Sequence, residues 1–194
     1  MAQLEELASV VDTAITKQLY ANRTIVLSEG VDSDTARRVI SQLLAFDATD
    51  PTKDIIMILN SPGGSVTSGF AIYDTMRFIR PNIKVVVSGL AASIATVILL
   101  GAKKENRISM PNAQLLIHQP LIPGAVQGQA SDLEITAKEI VKTREKLAKM
   151  YNEETGQPVA RIQKDIERDY WMSAQEALEY GLISRIVTTL KEVV

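Results

Sequence analysis

The segment at residues 54–60, DIIMILN, constrains the fold of this chain more than any other. Its side chains do not alternate between apolar and polar. A strand of that composition buries both faces, so other layers must cover it on each side. Residues 83–88 (IKVVVS) have the same character, and residues 24–28, 107–110 and 114–117 read as shorter strands. Helical periodicity fills the intervals. Residues 4–21 carry Leu7, Val10, Val11, Ala14 and Ile15 on one stripe. Ser33 serves as the N-cap of a helix that buries Ala36, Val39, Ile40, Leu43 and Leu44. Residues 65–79 follow a Pro-Gly-Gly break, and an apolar helix starts at Ser93 after a turn of small residues. Strands alternating with helices, without repeat, low-complexity tract or linker, predict one α/β domain over residues 1–194.

Residues 131–151 form a long helix with Leu133, Ala137, Ile140, Val141, Arg144, Leu147, Ala148 and Tyr151 on one face. Glu134–Lys138 and Glu145–Lys149 are supporting i,i+4 pairs. Such a helix is about 30 Å long, more than a small domain covers with its own core. Thr155-Gly156 ends it, Pro158 opens the next helix at its first position, and Ser173 with Glu176 makes a capping box.

The formal net charge of −2 offers no field for nucleic acid or anionic lipid. The absence of cysteine rules out disulfides and thiolate chemistry, and a single histidine removes most zinc-site arrangements, so no metal is expected. The apolar stretch 91–102 is shorter than the ~20 residues a membrane span needs. The acidic N-terminal residues do not resemble a secretory signal, and a cytoplasmic location is expected.

Few residues are left to carry chemistry. Gly63-Gly64 follow a buried strand and suit either a plain turn or backbone N–H groups facing an oxyanion or an extended peptide. Ser93, behind Gly89-Leu90-Ala91-Ala92, is either an N-cap or a nucleophile at a helix start, where free N–H groups favour a developing oxyanion. His118 ends an apolar strand. It is either a hydrogen-bonded structural residue or the chain's general base, imidazole being the side chain that exchanges a proton near neutral pH. Asp165, Glu167 and Asp169 are each able to orient that imidazole. Spacing does not choose among them, although Asp169, next to Tyr170-Trp171-Met172, is the one expected to be partly buried.

Four segments in order resemble the proteolytic subunit of the Clp protease: NSPGG with AIYDTMRFI at 60–79, GLAAS at 89–93, IHQPL with QGQASDLEI at 117–135, and ERDYWMSAQEALEYGLI at 167–183. The resemblance runs from about residue 24 onward. It implies a Clp-protease/crotonase-like α/β fold of stacked ββα units with a protruding handle, here the strand and helix over 118–154. It implies a serine endopeptidase with Ser93, His118 and Asp169 as triad, and the backbone N–H groups of Gly64 and Ile94 as oxyanion donors. Gly63, Pro120 and Leu121 are implied in binding an extended, unfolded polypeptide. Glu167 and Arg168 match inter-ring contact positions. The implied partners are further copies or paralogous subunits, in heptameric rings stacked as a 14-mer, and an AAA+ Clp unfoldase that alone consumes ATP. A bacterial cytoplasm or plastid stroma is the implied setting.

Three departures accompany the resemblance. Ser93-Ile94-Ala95 replaces the usual Ser-Met-Gly, so a β-branched side chain and an extra methyl crowd the nucleophile. The stretch QPLIPGAV after His118 is about two residues longer than the common pattern. Residues 1–22 do not resemble the usual axial segment. These departures leave open a weakly active or scaffold ring subunit working with a second paralogue. An acyl-CoA-handling relative on the same fold is a further alternative, but it has no need of Ser93, His118 and Asp169 together.

Overall fold

The computed structural model describes residues 13–121, 124 and 127–194. Five strands lie side by side and parallel: β1 (Thr24–Leu27), β2 (Ile55–Ser61), β3 (Ile83–Ala92), β4 (Arg107–Ser109) and β7 (Arg185–Ile186). Two more extend the far end of β3. β5 (Gln114–Ile117) pairs with it in parallel, and β6 (Tyr170–Ser173) pairs antiparallel with β5. β3 is thus shared, with Val85–Val87 on β4 and Leu90–Ala92 on β5. The small-residue stretch expected to be a turn is strand. Gly89, at φ +94°, sits where the pairing changes partner, and a Cβ there would meet Asn60 Oδ1 at 2.9 Å.

Residues 13–21 are helical (α1). Then follow α2 (Ser33–Thr49), α3 (Val66–Phe78), α4 (Ile94–Leu100), α5 (Ala130–Thr155), α6 (Val159–Asp165) and α7 (Ala174–Tyr180). This is the α/β, Clp-protease-like architecture that the resemblance implies. The expected helix at 4–12, with Leu7, Val10 and Val11, lies outside the described residues. Ala14 and Ile15 are exposed rather than buried. Three local expectations are corrected. Asp32, not Ser33, caps α2 by accepting from Thr35 N–H. Pro158 stands at the N-cap of α6, one position before its first turn. Lys149 pairs with Glu153 rather than Glu145. The Ser173–Glu176 capping box forms as expected.

The DIIMILN strand is not buried equally on both faces. Ile55, Met57 and Leu59 are fully buried in the main core with Val39, Leu43, Phe46, Ile72 and Ile98. Ile56 and Ile58 are half-buried beside a smaller cluster of Val86, Ile108, Val187 and Val193. One face carries the helices, and among the described residues the other is covered by the C-terminal segment with Val187 and Val193.

α5 is also divided. Its 26 residues would extend about 39 Å, yet only Leu147, Ala148, Tyr151 and Thr155 are buried. Leu133, Ile135 and Val141 are exposed. The base of the helix is held by Arg107, wholly buried, which donates to the carbonyls of Ala102 and Leu100 and to the Glu154 carboxylate. Among the described residues no helix is long and apolar enough to cross a membrane.

Candidate active site

Ser93 and His118 stand at the carboxyl ends of neighbouring parallel strands, because Ala92 of β3 lies in register with Leu116 of β5. Ser93 N–H donates to Leu116 O at 2.9 Å, continuing the ladder by one residue. The chain then turns abruptly, with Ser93 at φ 57° and ψ −128°, before α4 begins. A non-glycine residue in that region costs roughly 1–3 kcal/mol and persists only where its surroundings fix it. The Ser93 side chain makes no capping hydrogen bond to the helix. It reaches instead to His118, with Oγ 2.8 Å from Nε2.

The other ring nitrogen, Nδ1, lies 3.1 Å from Asp169 Oδ1. An ionised carboxylate only accepts, so Nδ1 carries the proton and Nε2 is left to accept from Ser93. Of the three candidate acids only Asp169 meets the imidazole. Asp165 accepts from the Tyr180 hydroxyl and faces Arg161, and Glu167 is exposed. Asp169 is not partly buried as expected, since its side chain is 63% exposed against 18% for His118. It precedes β6, the antiparallel edge strand, and among the described residues most of its side chain is left uncovered.

The glycine pair has a tighter role than admitting a ligand. Gly63 is buried at φ +87°, and a Cβ on it would lie 2.7 Å from Ser93 Cβ. Its N–H goes to Ser61 Oγ and its carbonyl accepts from Val31 N–H. Gly63 therefore backs the Ser93 turn, with its N–H and carbonyl both engaged within the subunit. Gly64, at φ +147°, would drive a Cβ to 2.3 Å from Val31 O. Among the described residues neither Gly64 N–H nor Ile94 N–H has an internal acceptor, and both residues line the cleft around Ser93. That cleft measures about 650 Å³, and Val66, Ile94, Val97, Leu147 and Tyr151 give it an apolar wall.

Pro120 and Leu121 line the same cleft. Among the described residues no strand pairs with residues 118–121, and the rest of the longer loop, residues 122, 123, 125 and 126, lies outside the described residues. Glu167 and Arg168 are exposed and, among the described residues, form no ion pair within the subunit. The Ile94-Ala95 departure is accommodated by packing. Ile94 is 3% exposed, and it fits because position 69 is glycine, where a Cβ would lie 2.1 Å from Ile94 Cγ1. Ala95 is fully buried.

Two arrangements had no signal in the sequence pattern. Gln119 ties the acid-bearing loop to the histidine strand, donating from its backbone to Ile166 O at 2.6 Å and from Nε2 to Glu167 O at 2.9 Å. Behind Ser93, Thr96 Oγ1 lies 2.6 Å from both Ser93 O and the Tyr151 hydroxyl.

A hydroxyl, an imidazole and a carboxylate in one hydrogen-bonded line, beside unpaired backbone donors and an apolar cleft on a parallel sheet, define the class of serine hydrolases. Among family models, that of the Clp protease matches residues 8–190 of the 194-residue chain, and the chain belongs to that family. It is a family of serine peptidases that act in proteolysis, as oligomers working with Clp unfoldases.

Proposed function

We propose that this chain is a serine endopeptidase subunit that cleaves unfolded polypeptide inside a double ring. The observation that supports the reading is the unbroken line Ser93 Oγ to His118 Nε2 at 2.8 Å and His118 Nδ1 to Asp169 at 3.1 Å. His118 Nε2 takes the Ser93 proton as Oγ attacks the peptide carbonyl. The carbonyl electron pair moves to oxygen, which the N–H groups of Gly64 and Ile94 stabilise. Loss of one such donor typically costs about 10²–10³ in rate. The intermediate collapses, His118 returns the proton to the leaving amine, and water releases the acyl-enzyme by the same path. Every proton and electron pair is accounted for by protein groups and water, so no cofactor enters in this subunit. Substrate lies extended along residues 118–121, whose backbone has no strand partner among the described residues, so main chain is recognised more than side chains.

A second reading is favoured by the 63% exposure of Asp169. The subunit turns over slowly alone and reaches full activity in a ring, of its own copies or mixed with a paralogue, where neighbours cover Asp169 and the exposed Glu167 and Arg168. Native mass spectrometry of the purified chain, alone and with a paralogue, paired with hydrolysis of a fluorogenic peptide, tests both readings. Activity confined to assembled species supports the coupled reading. Activity in a monomer contradicts it, and no activity in any assembly contradicts the peptidase assignment.

A further inference from the structure

The strained Ser93 turn needs something to hold it, and the groups that do so lie behind it. Ser93 O accepts from Thr96 N–H at 3.0 Å and from Thr96 Oγ1 at 2.6 Å. A carbonyl cannot donate, so the single hydroxyl proton of Thr96 is committed to Ser93 O. The contact between Thr96 Oγ1 and the Tyr151 hydroxyl, also 2.6 Å, must then be donated by Tyr151. The result is a directed chain from Tyr151 O–H through Thr96 O–H to the Ser93 carbonyl. Both side chains are buried, at 2% and 0% exposure. Burial pushes the Tyr151 phenol up to about 12, so near neutral pH it keeps its proton and can donate.

The Ser93 carbonyl and the Ile94 N–H belong to one planar, trans peptide and point in opposite directions. Whatever fixes the carbonyl also fixes the N–H. We infer that Tyr151 and Thr96 are positioning residues that aim the Ile94 N–H at the developing oxyanion, linking the base of α5 to the catalytic turn. The inference rests on the proposed Ser93 chemistry. A buried pair that served only packing would be matched by phenylalanine and valine of nearly the same shape, whereas an aiming role requires the hydroxyls.

The test uses the full-length, assembled protein. Active serines are titrated with a fluorophosphonate, and kcat per titrated serine, KM and the thermal midpoint are measured. Tyr151→Phe keeps the ring and loses the donor. It is expected to lower kcat per titrated serine about ten-fold with KM little changed, because an oxyanion contact acts in the transition state and small misplacements there are costly. Thr96→Val is expected to lose at least as much, and Thr96→Ser, which retains the hydroxyl, to recover most of it. The double variant should be no worse than Thr96→Val, since Tyr151 acts through Thr96. An unchanged kcat per titrated serine in Tyr151→Phe overturns the inference and leaves the proposed function standing. Losses that multiply in the double variant overturn the chain of action. Should Tyr151→Phe fail to fold, the Thr96→Val and Thr96→Ser pair decides, and equal rates in both contradict the aiming role. A wild type that neither labels nor hydrolyses removes the Ser93 chemistry itself, and the inference with it.

Discussion

The two ends of the Ser93–His118–Asp169 line are built in contrasting ways. Ser93 and His118 extend two neighbouring strands of the parallel sheet. Fully buried α4 packs behind Ser93, Gly63 closes on it from below, and Thr96 and Tyr151 hold its carbonyl. Asp169 sits on an exposed loop before an edge strand. Two hydrogen bonds from Gln119 tether the loop, and the carboxylate is open to solvent. The inner end is fixed by a core that one subunit completes alone. The outer end has only local tethers, so its position is open to influence from whatever packs against Glu167, Arg168 and Asp169. One rigid and one adjustable end would make the proposed activity of this line depend on assembly.

The comparison breaks first at the inner end. In homomeric assemblies, Ser93→Ala and His118→Ala should each lower peptide hydrolysis by about 10⁶ without disturbing assembly, because alanine fits both positions. Residual hydrolysis near the wild-type rate would remove these residues from the chemistry. Asp169→Asn, at the adjustable end, should cost about 10⁴. The amide keeps the shape but presents the wrong partner to Nδ1–H, and circular dichroism should show the fold retained.

Arg168→Glu probes the coupling itself. It touches no reacting group, yet it should reduce double-ring content and lower activity by about ten-fold, since many weak contacts add across a symmetric interface. Sedimentation velocity with a parallel peptidase assay checks this, and single rings with full activity would break the link between the adjustable end and assembly.

The smallest expected effect is on the anchor of β6. Ser173→Ala removes the N-cap of α7 and should cost about 1 kcal/mol of stability, read in thermal denaturation. Hydrogen bonds from Ser173 N–H and Oγ hold the Glu176 carboxyl below its ordinary value of 4.5. A lowered native value stabilises the fold at pH above that ordinary value, and the contribution is lost as pH falls through the native one. The gap between wild type and Ser173→Ala should therefore narrow in acid.

Much of this was legible in the sequence because local chemistry matched the final structure. The buried strands, the break at Gly63-Gly64, the capping box at Ser173 and the end of α5 at Gly156 each rest on a residue whose own geometry demands the feature. What remained illegible depended on partners distant in sequence. Composition reads 89–92 as a turn, but register with β5 makes it strand. The bulky residues after Asp169 suggested burial, but Trp171 lies on an edge strand and is 53% exposed. Gly69 making room for Ile94, and Tyr151 reaching Thr96 across 55 positions, leave no periodicity to detect. The apolar face proposed for residues 131–151 was real, but only its last turns meet the subunit's own core.

The most direct test is to map the fluorophosphonate adduct by mass spectrometry in each oligomeric fraction and to measure its rate of formation. The adduct should lie on Ser93 and form faster in double rings than in dissociated subunits, where Asp169 lacks its surroundings. An adduct on another residue, or equal rates on Ser93 in both fractions, would contradict the account.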